Sequence, residues 1–121
     1  MYALVIDDNR QTAEALVQML KLWDIPARMA LNPSSAMLLL GEVVPRIVFL
    51  DINMPGVDGF EVLGFLKREP RLLNIPVVVV TSDDQPETSR RAFNDGASAF
   101  VIKPVMVETI EAALKKVGIL S

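Results

Sequence analysis

The 121-residue chain contains no cysteine and no histidine. Without cysteine there is no disulfide, no thiolate nucleophile and no thiolate-bound metal. Without histidine the usual acid–base group of neutral pH is missing, and so is the usual ligand of transition metals. Chemistry on this chain therefore falls to Asp, Glu, Lys, Ser, Thr and the backbone. Positive charge is scarce too: 12 Lys and Arg stand against 15 Asp and Glu, a formal net charge of −3. The nearest thing to a basic cluster, Lys67-Arg68 with Arg71, reads as a solvated helix end. Direct binding to nucleic acid is accordingly not expected. The apolar runs are far shorter than a membrane span. The opening MYALVIDDNR has no basic stretch ahead of its apolar run, so it does not read as a secretory signal. No membrane partner and a cytoplasmic location are expected.

What the chain has in quantity is hydrophobic residues, 51% of the total. That suffices for one sizeable core and argues against disorder. The length suits a single domain over residues 1–121.

Strands and helices alternate along the chain. YALVI at residues 2–6 is apolar on every side, as a central parallel strand is, and stops at Asp7-Asp8. Asn9 caps a predicted helix over residues 10–23, whose stripe is Ala13, Leu16, Val17, Leu20 and Trp23. Residues 27–31 form a weaker strand suited to a sheet edge. Asn32-Pro33 opens a helix predicted to end at Gly41. In the run Leu38-Leu39-Leu40 one leucine is expected to face solvent or a partner. RIVFL at residues 46–50 is the third strand and again stops at an acid, Asp51. The loop NMPGVDG at residues 53–59 carries the Pro55-Gly56 turn signal, and Asp58 caps a helix with Phe60, Leu63 and Leu66 on its apolar face. VVVV at residues 77–80 is the plainest strand, with Thr81-Ser82 at its end. A helix over residues 86–95, a strand over residues 99–102 ending at Lys103-Pro104, and a helix over residues 105–117 complete the chain.

Five β-α repeats imply a doubly wound α/β fold, with a parallel sheet and helices on both faces. Ligands in such folds sit at the C-terminal ends of the strands. That rule picks out Asp7, Asp8, Asp51, Thr81 and Lys103, each directly after a predicted strand. Carboxylates gathered at one sheet edge repel one another. With no His or Cys available, a hard divalent cation such as Mg2+ is the natural neutraliser. Lys103 adds a positive charge and Thr81 a hydroxyl donor, so the site suits a dianionic phosphoryl group, whose transfer needs position and charge neutralisation above all. Asp51 is the expected nucleophile. Asp7 and Asp8 would hold the metal, with the backbone carbonyl of Asn53 completing its shell. Thr81 and Lys103 would each grip a phosphoryl oxygen.

These pieces, Asp7-Asp8, LDINMPGVDG at residues 50–59, VTSD at 80–83 and ASAFVIKP at 97–104, occur in one order over nearly the whole chain. In them the sequence resembles the receiver domains of bacterial two-component response regulators. The resemblance implies a flavodoxin-like (βα)5 sandwich with strand order 2-1-3-4-5. It places the phosphoacceptor at Asp51, the acidic pair at Asp7 and Asp8, the metal-binding carbonyl at Asn53, the loop turn at Pro55 and Gly56, and the loop-closing glycine at Gly59. It places the switch residues at Thr81 and Phe100, the invariant lysine at Lys103, and a cis bond at Lys103-Pro104. Phe100 has no hydroxyl, so any switch there works through ring burial alone. Side chains at Asn53 and Asp83 are implied to tune the lifetime of the phosphorylated state. The implied partners are a sensor histidine kinase or phosphotransfer protein, meeting residues 9–16 and 104–107, and a downstream target or fused output domain reached through the face of the fourth helix, fifth strand and fifth helix. A monomer is expected, with dimerisation on phosphorylation an open option. The domain is read as a signalling switch that catalyses only its own phosphorylation and dephosphorylation. Two alternatives stay open: a receiver-like interaction module that works without phosphorylation, and a small Mg2+-dependent phosphatase.

Overall fold

In the computed structural model, which describes residues 2–121 and leaves Met1 outside, the apolar runs become five parallel strands joined by helices. The order is β1 (Ala3–Ile6), α1 (Arg10–Leu20), β2 (Ala27–Ala30), α2 (Pro33–Glu42), β3 (Ile47–Asp51), α3 (Gly59–Arg68), β4 (Val77–Thr81), α4 (Pro86–Asn94), β5 (Ala99–Ile102) and α5 (Val107–Lys116). The sheet order is β2-β1-β3-β4-β5, as expected.

Alternation along each strand divides the core in two. Leu4, Ile6, Val48, Leu50, Val77 and Val79 pack with Ala36 and Leu40 of α2, Val62, Leu63 and Leu66 of α3, and Ala92 of α4. On the other face Ala3, Val5, Ile47, Phe49, Val78 and Val80 pack with Ala13, Leu16 and Leu20 of α1 and with Ile110, Ala113 and Leu114 of α5. Because β1, β3 and β4 are buried on both faces, they are apolar without interruption until the sheet's C-terminal edge. The edge strand β2 is covered more loosely.

The helix starts follow their caps. Asn9 Oδ1 accepts from the N–H of Thr12, Asn32 Oδ1 from Ser35, and Asp58 Oδ1 from Phe60. Three helix bounds are corrected. The first helix stops at Leu20, and residues Lys21–Trp23 tighten into a 3-10 turn closed by Asp24 in a left-handed conformation, while Trp23 still packs half-buried against the same core as the stripe. Gly41 does not end α2, because it holds ordinary helical backbone and the helix runs on to Glu42. Val62 joins Leu63 and Leu66 on the buried face of α3, and Phe60 packs half-buried against the same core, under the guanidinium of Arg91, 3.9 Å from its ring centre. The last helix begins at Val107, because Met106 is extended and exchanges hydrogen bonds with the Thr109 hydroxyl. In the triple-leucine run Leu38 is the exposed residue. Among the described residues no helix is long and apolar enough to cross a membrane.

Candidate functional site

Strand register alone assembles the site. Ile6 pairs with Leu50, so Asp7 and Asp51 leave adjacent strands side by side. Asp51 pairs with Val80 and Thr81 with Ile102, which steps Thr81 and then Lys103 around the same edge. Asp7, Asp51 and Thr81 are the buried polar or charged residues of the described chain, each no more than 3% exposed. Burying such groups is costly unless they are paired, so their gathering at one edge marks a built site.

The contacts are specific. Asp51 Oδ1 accepts from the backbone N–H of Asn53 at 2.9 Å, and Asp51 Oδ2 accepts from Lys103 Nζ at 3.2 Å. Asp7 Oδ1 accepts from the N–H of Asn9 at 2.9 Å. Asp7 Oδ2 lies 3.0 Å from Lys103 Nζ, but without the alignment of a hydrogen bond; this buried oxygen has an ionic neighbour and no hydrogen-bond partner. Asp8 is exposed, yet carboxylate oxygens of Asp7, Asp8 and Asp51 all lie within 4.8 Å of one another.

The electrostatics follow. Burial pushes Asp7 above the ordinary carboxylate value, and the charge of Asp51 adds to that, against the Asn9 hydrogen bond and Lys103. Burial alone would lower Lys103, but its contacts with Asp7 and Asp51 outweigh it, and its pKa is raised. Lys103 is thus held protonated between two buried acids. With Asp8 added, three carboxylates face one ammonium. The excess negative charge, the all-oxygen donor set and the orphaned Asp7 oxygen fit a hard divalent cation.

The remaining expected residues fall around this centre. Thr81 Oγ1 accepts from Asn53 Nδ2 at 2.6 Å and from the N–H of Asp83 at 3.1 Å. Phe100 is half-buried, its ring 6.5 Å from that of Phe93 on α4. The Lys103-Pro104 bond is cis. Gly56 has a φ of +72°, the left-handed backbone that the turn after Pro55 requires. The glycine at 59 has a different cause: a β-carbon there would meet the backbone of Ile52. Asp83 stands apart from the acids. Its carboxylate accepts from the N–H of Gln85 at 2.9 Å and from the Thr88 hydroxyl at 2.7 Å, and these bonds lower its pKa. Sequence reading passed over Thr88. The available signal was an acid three residues before the helix-opening Pro86, with a hydroxyl in the first turn beyond it.

Comparison with known proteins agrees with this geometry. The family described as "Response regulator receiver domain" matches residues 3–115. The "Probable methanogenesis regulatory protein FilR2" of Methanothrix harundinacea is 39% identical over 77 residues, 64% of this chain. The aligned part spans only 50% of that protein's length. The signal receiver domain of a DNA-binding response regulator from Colwellia psychrerythraea superposes with a TM-score of 0.89 at 30% identity, covering 99% of both chains. A response regulator from Burkholderia pseudomallei, solved with a phosphorylated aspartic acid, a calcium ion and citrate, superposes with a TM-score of 0.83 at 29% identity, covering 93% of this chain and 65% of that one. By these matches, and by its strand order and acidic edge, the chain belongs to the receiver-domain family of two-component response regulators.

Proposed function

We propose that this chain is a phosphoacceptor switch in which Asp51 takes a phosphoryl group from a phosphohistidine donor. The observation that carries the reading is the setting of Asp51. It is a nearly buried carboxylate at the end of the central strand, held by Lys103 and the Asn53 N–H and faced by two further acids. A carboxylate oxygen of Asp51 attacks phosphorus, the new P–O bond forms, and the P–N bond pair returns to the donor imidazole. Asp7, Asp8, Asp51 and the Asn53 carbonyl would hold Mg2+, which supplies charge neutralisation of the phosphoryl oxygens. Lys103 Nζ, already 3.2 Å from Asp51, pairs with one phosphoryl oxygen, and the Thr81 hydroxyl donates to another. The acyl phosphate so formed is a mixed anhydride. Attack of water on phosphorus returns Asp51 and inorganic phosphate, so the domain resets itself.

Other roles rest on the same reading. Thr81 and Phe100 form the switch, with Phe100 half-buried beside Phe93 on the face of α4, β5 and α5. Asn53 and Asp83, two residues beyond Asp51 and Thr81, set the lifetime of the phosphorylated state. The domain occupies residues 1–121 and works in the cytoplasm, between a histidine kinase or phosphotransfer protein and an output domain or target.

The test is intact mass after incubation with acetyl phosphate and Mg2+. A gain of one phosphoryl group (~80 Da) is expected, lost without metal and in Asp51→Asn. If neither a phosphoryl adduct nor beryllofluoride binding is found, a phosphorylation-independent module replaces this reading. Steady turnover of a generic phosphate monoester would favour the phosphatase.

A further inference from the structure

The solvent side of α2 lacks charge. From Pro33 to Gly41 the helix carries no Asp, Glu, Lys or Arg, and its exposed residues there are Ser34, Leu38 and Gly41. A helix face turned to water is ordinarily polar or charged. Leu38 is 72% exposed, the most of any large hydrophobic residue in the described chain. Its neighbour Met37 lines a groove of about 350 Å³ between α2 and α3, together with Val57, Val62 and Phe65. The charged residues of that groove are both acids, Asp58 and Glu61, and no Lys or Arg lines it. Neither acid is in an ion pair among the described residues. The cations of this side of the molecule are engaged elsewhere. Lys67 Nζ donates to the carbonyls of Leu73 and Ile75, Arg71 donates to the carbonyl of Leu40, and Arg68 lines the separate groove between α3 and α4.

We propose that the groove between α2 and α3 is a docking site for a basic amphipathic helix of a partner protein. Apolar side chains of that helix enter the groove over Met37, Val57 and Phe65, and its next turn lies on Leu38. Lysine or arginine on its flank meets Asp58 and Glu61. Charge decides the occupant. An acidic segment brings like charge against two unpaired carboxylates, which is costly at an interface. A neutral segment leaves their attraction unused. A second copy of this chain arrives with a net charge of −3. The groove lies on the side of α3 away from α4. A partner seated there leaves the face of α4, β5 and α5 open, so the domain can hold two proteins at once. The site does not depend on the phosphoacceptor reading of Asp51.

The experiment selects peptides from a displayed random library on the wild-type chain and locates their binding by amide chemical shifts in nuclear magnetic resonance. The expected binders carry apolar residues at helical spacing with Lys or Arg beside them, and they shift the amides of residues 34–42 and 56–65. Two variants alter exposed side chains and leave the core intact. Glu61→Lys should weaken these binders about tenfold, as turning one exposed attraction into a repulsion does. Leu38→Ser should weaken them several-fold through lost apolar contact. Added salt should weaken binding to the wild type more than to Glu61→Lys. Asp51→Asn should bind them as the wild type does, which judges this site apart from the phosphoacceptor reading. A library that yields no binder, or binders that all map elsewhere, overturns the proposal. So do binders without basic residues, and binders held equally by wild type, Glu61→Lys and Leu38→Ser. A wild-type chain that sediments as a dimer, and as a monomer in Leu38→Ser, makes a second copy the occupant and overturns the basic helix.

Discussion

Replacing Gly59 by alanine separates helix propensity from tertiary contact. Gly59 opens α3 with ordinary backbone, so propensity alone predicts that Gly59→Ala stabilises, by at most about 1 kcal/mol. The structure predicts the opposite. An added β-carbon would overlap Ile52 Cα and lie 2.7 Å from the Ile52 carbonyl oxygen and 2.8 Å from its carbon. All three atoms are backbone, so no side chain can swing aside, and the cost belongs at the upper end of the roughly 1–3 kcal/mol typical of overpacking. The net expectation is a loss of about 1–2 kcal/mol, or a fall of about 1 M in the urea midpoint. Gly41 is the control. It lies inside α2 and an added β-carbon there has nothing within 4 Å, so Gly41→Ala should gain about 0.4–1 kcal/mol. Gly64 falls between them, because its β-carbon meets only the mobile tip of Arg68. The displaced Ile52 also precedes Asn53, whose N–H holds Asp51 and whose amide holds Thr81. Phosphoryl uptake in Gly59→Ala should therefore slow as well. Urea unfolding of the three variants decides the matter: a Gly59→Ala protein as stable as Gly41→Ala would refute the close-approach argument.

Lys103→Met removes the ammonium between two buried acids. The metal-free protein should lose about 1–3 kcal/mol at neutral pH, and Mg2+ at a hundred times its Kd should return about 2.7 kcal/mol. Equal thermal midpoints for wild type and variant in a chelator would sink this. Asp7 gives a pH dependence. Its folded pKa is raised above the ordinary 3.8, so the native chain holds that proton more tightly than the unfolded one. The stability it contributes is full below 3.8 and is lost as pH climbs through the raised value. In chelator, wild type should therefore lose stability relative to Asp7→Asn as pH rises across that window; a gain would contradict the assignment. Lys67 Nζ donates to the carbonyls of Leu73 and Ile75 at 3.2 and 2.8 Å, binding the end of α3 to the approach of β4. Lys67→Met should cost about 1–3 kcal/mol by leaving them unpaired, and an unchanged melting temperature would show that water replaces the ammonium.

Local periodicity and the residues at strand ends were enough for the class of fold and the membership of the site. A strand buried on both faces has to be apolar throughout, so β1, β3 and β4 announce themselves, and the first polar residue after each marks the sheet edge. Asp7, Asp51 and Thr81 were legible for that reason, and Lys103 as the residue that ends the β5 run. Caps were legible where the bond spans three residues or fewer, as at Asn9, Asn32 and Asp58. What only the tertiary structure decided are the contacts between residues far apart in the chain. Lys103 lies between Asp7 and Asp51, and the Asn53 amide lies on the Thr81 hydroxyl. Strand register sets these neighbours, and no local pattern encodes register when both faces are apolar. The capture of Asp83 by Thr88 is a nearer case. Its spacing was readable, but a carboxylate two residues past Thr81 has a choice between the acidic edge and a helix end, and only the folded loop shows which it takes.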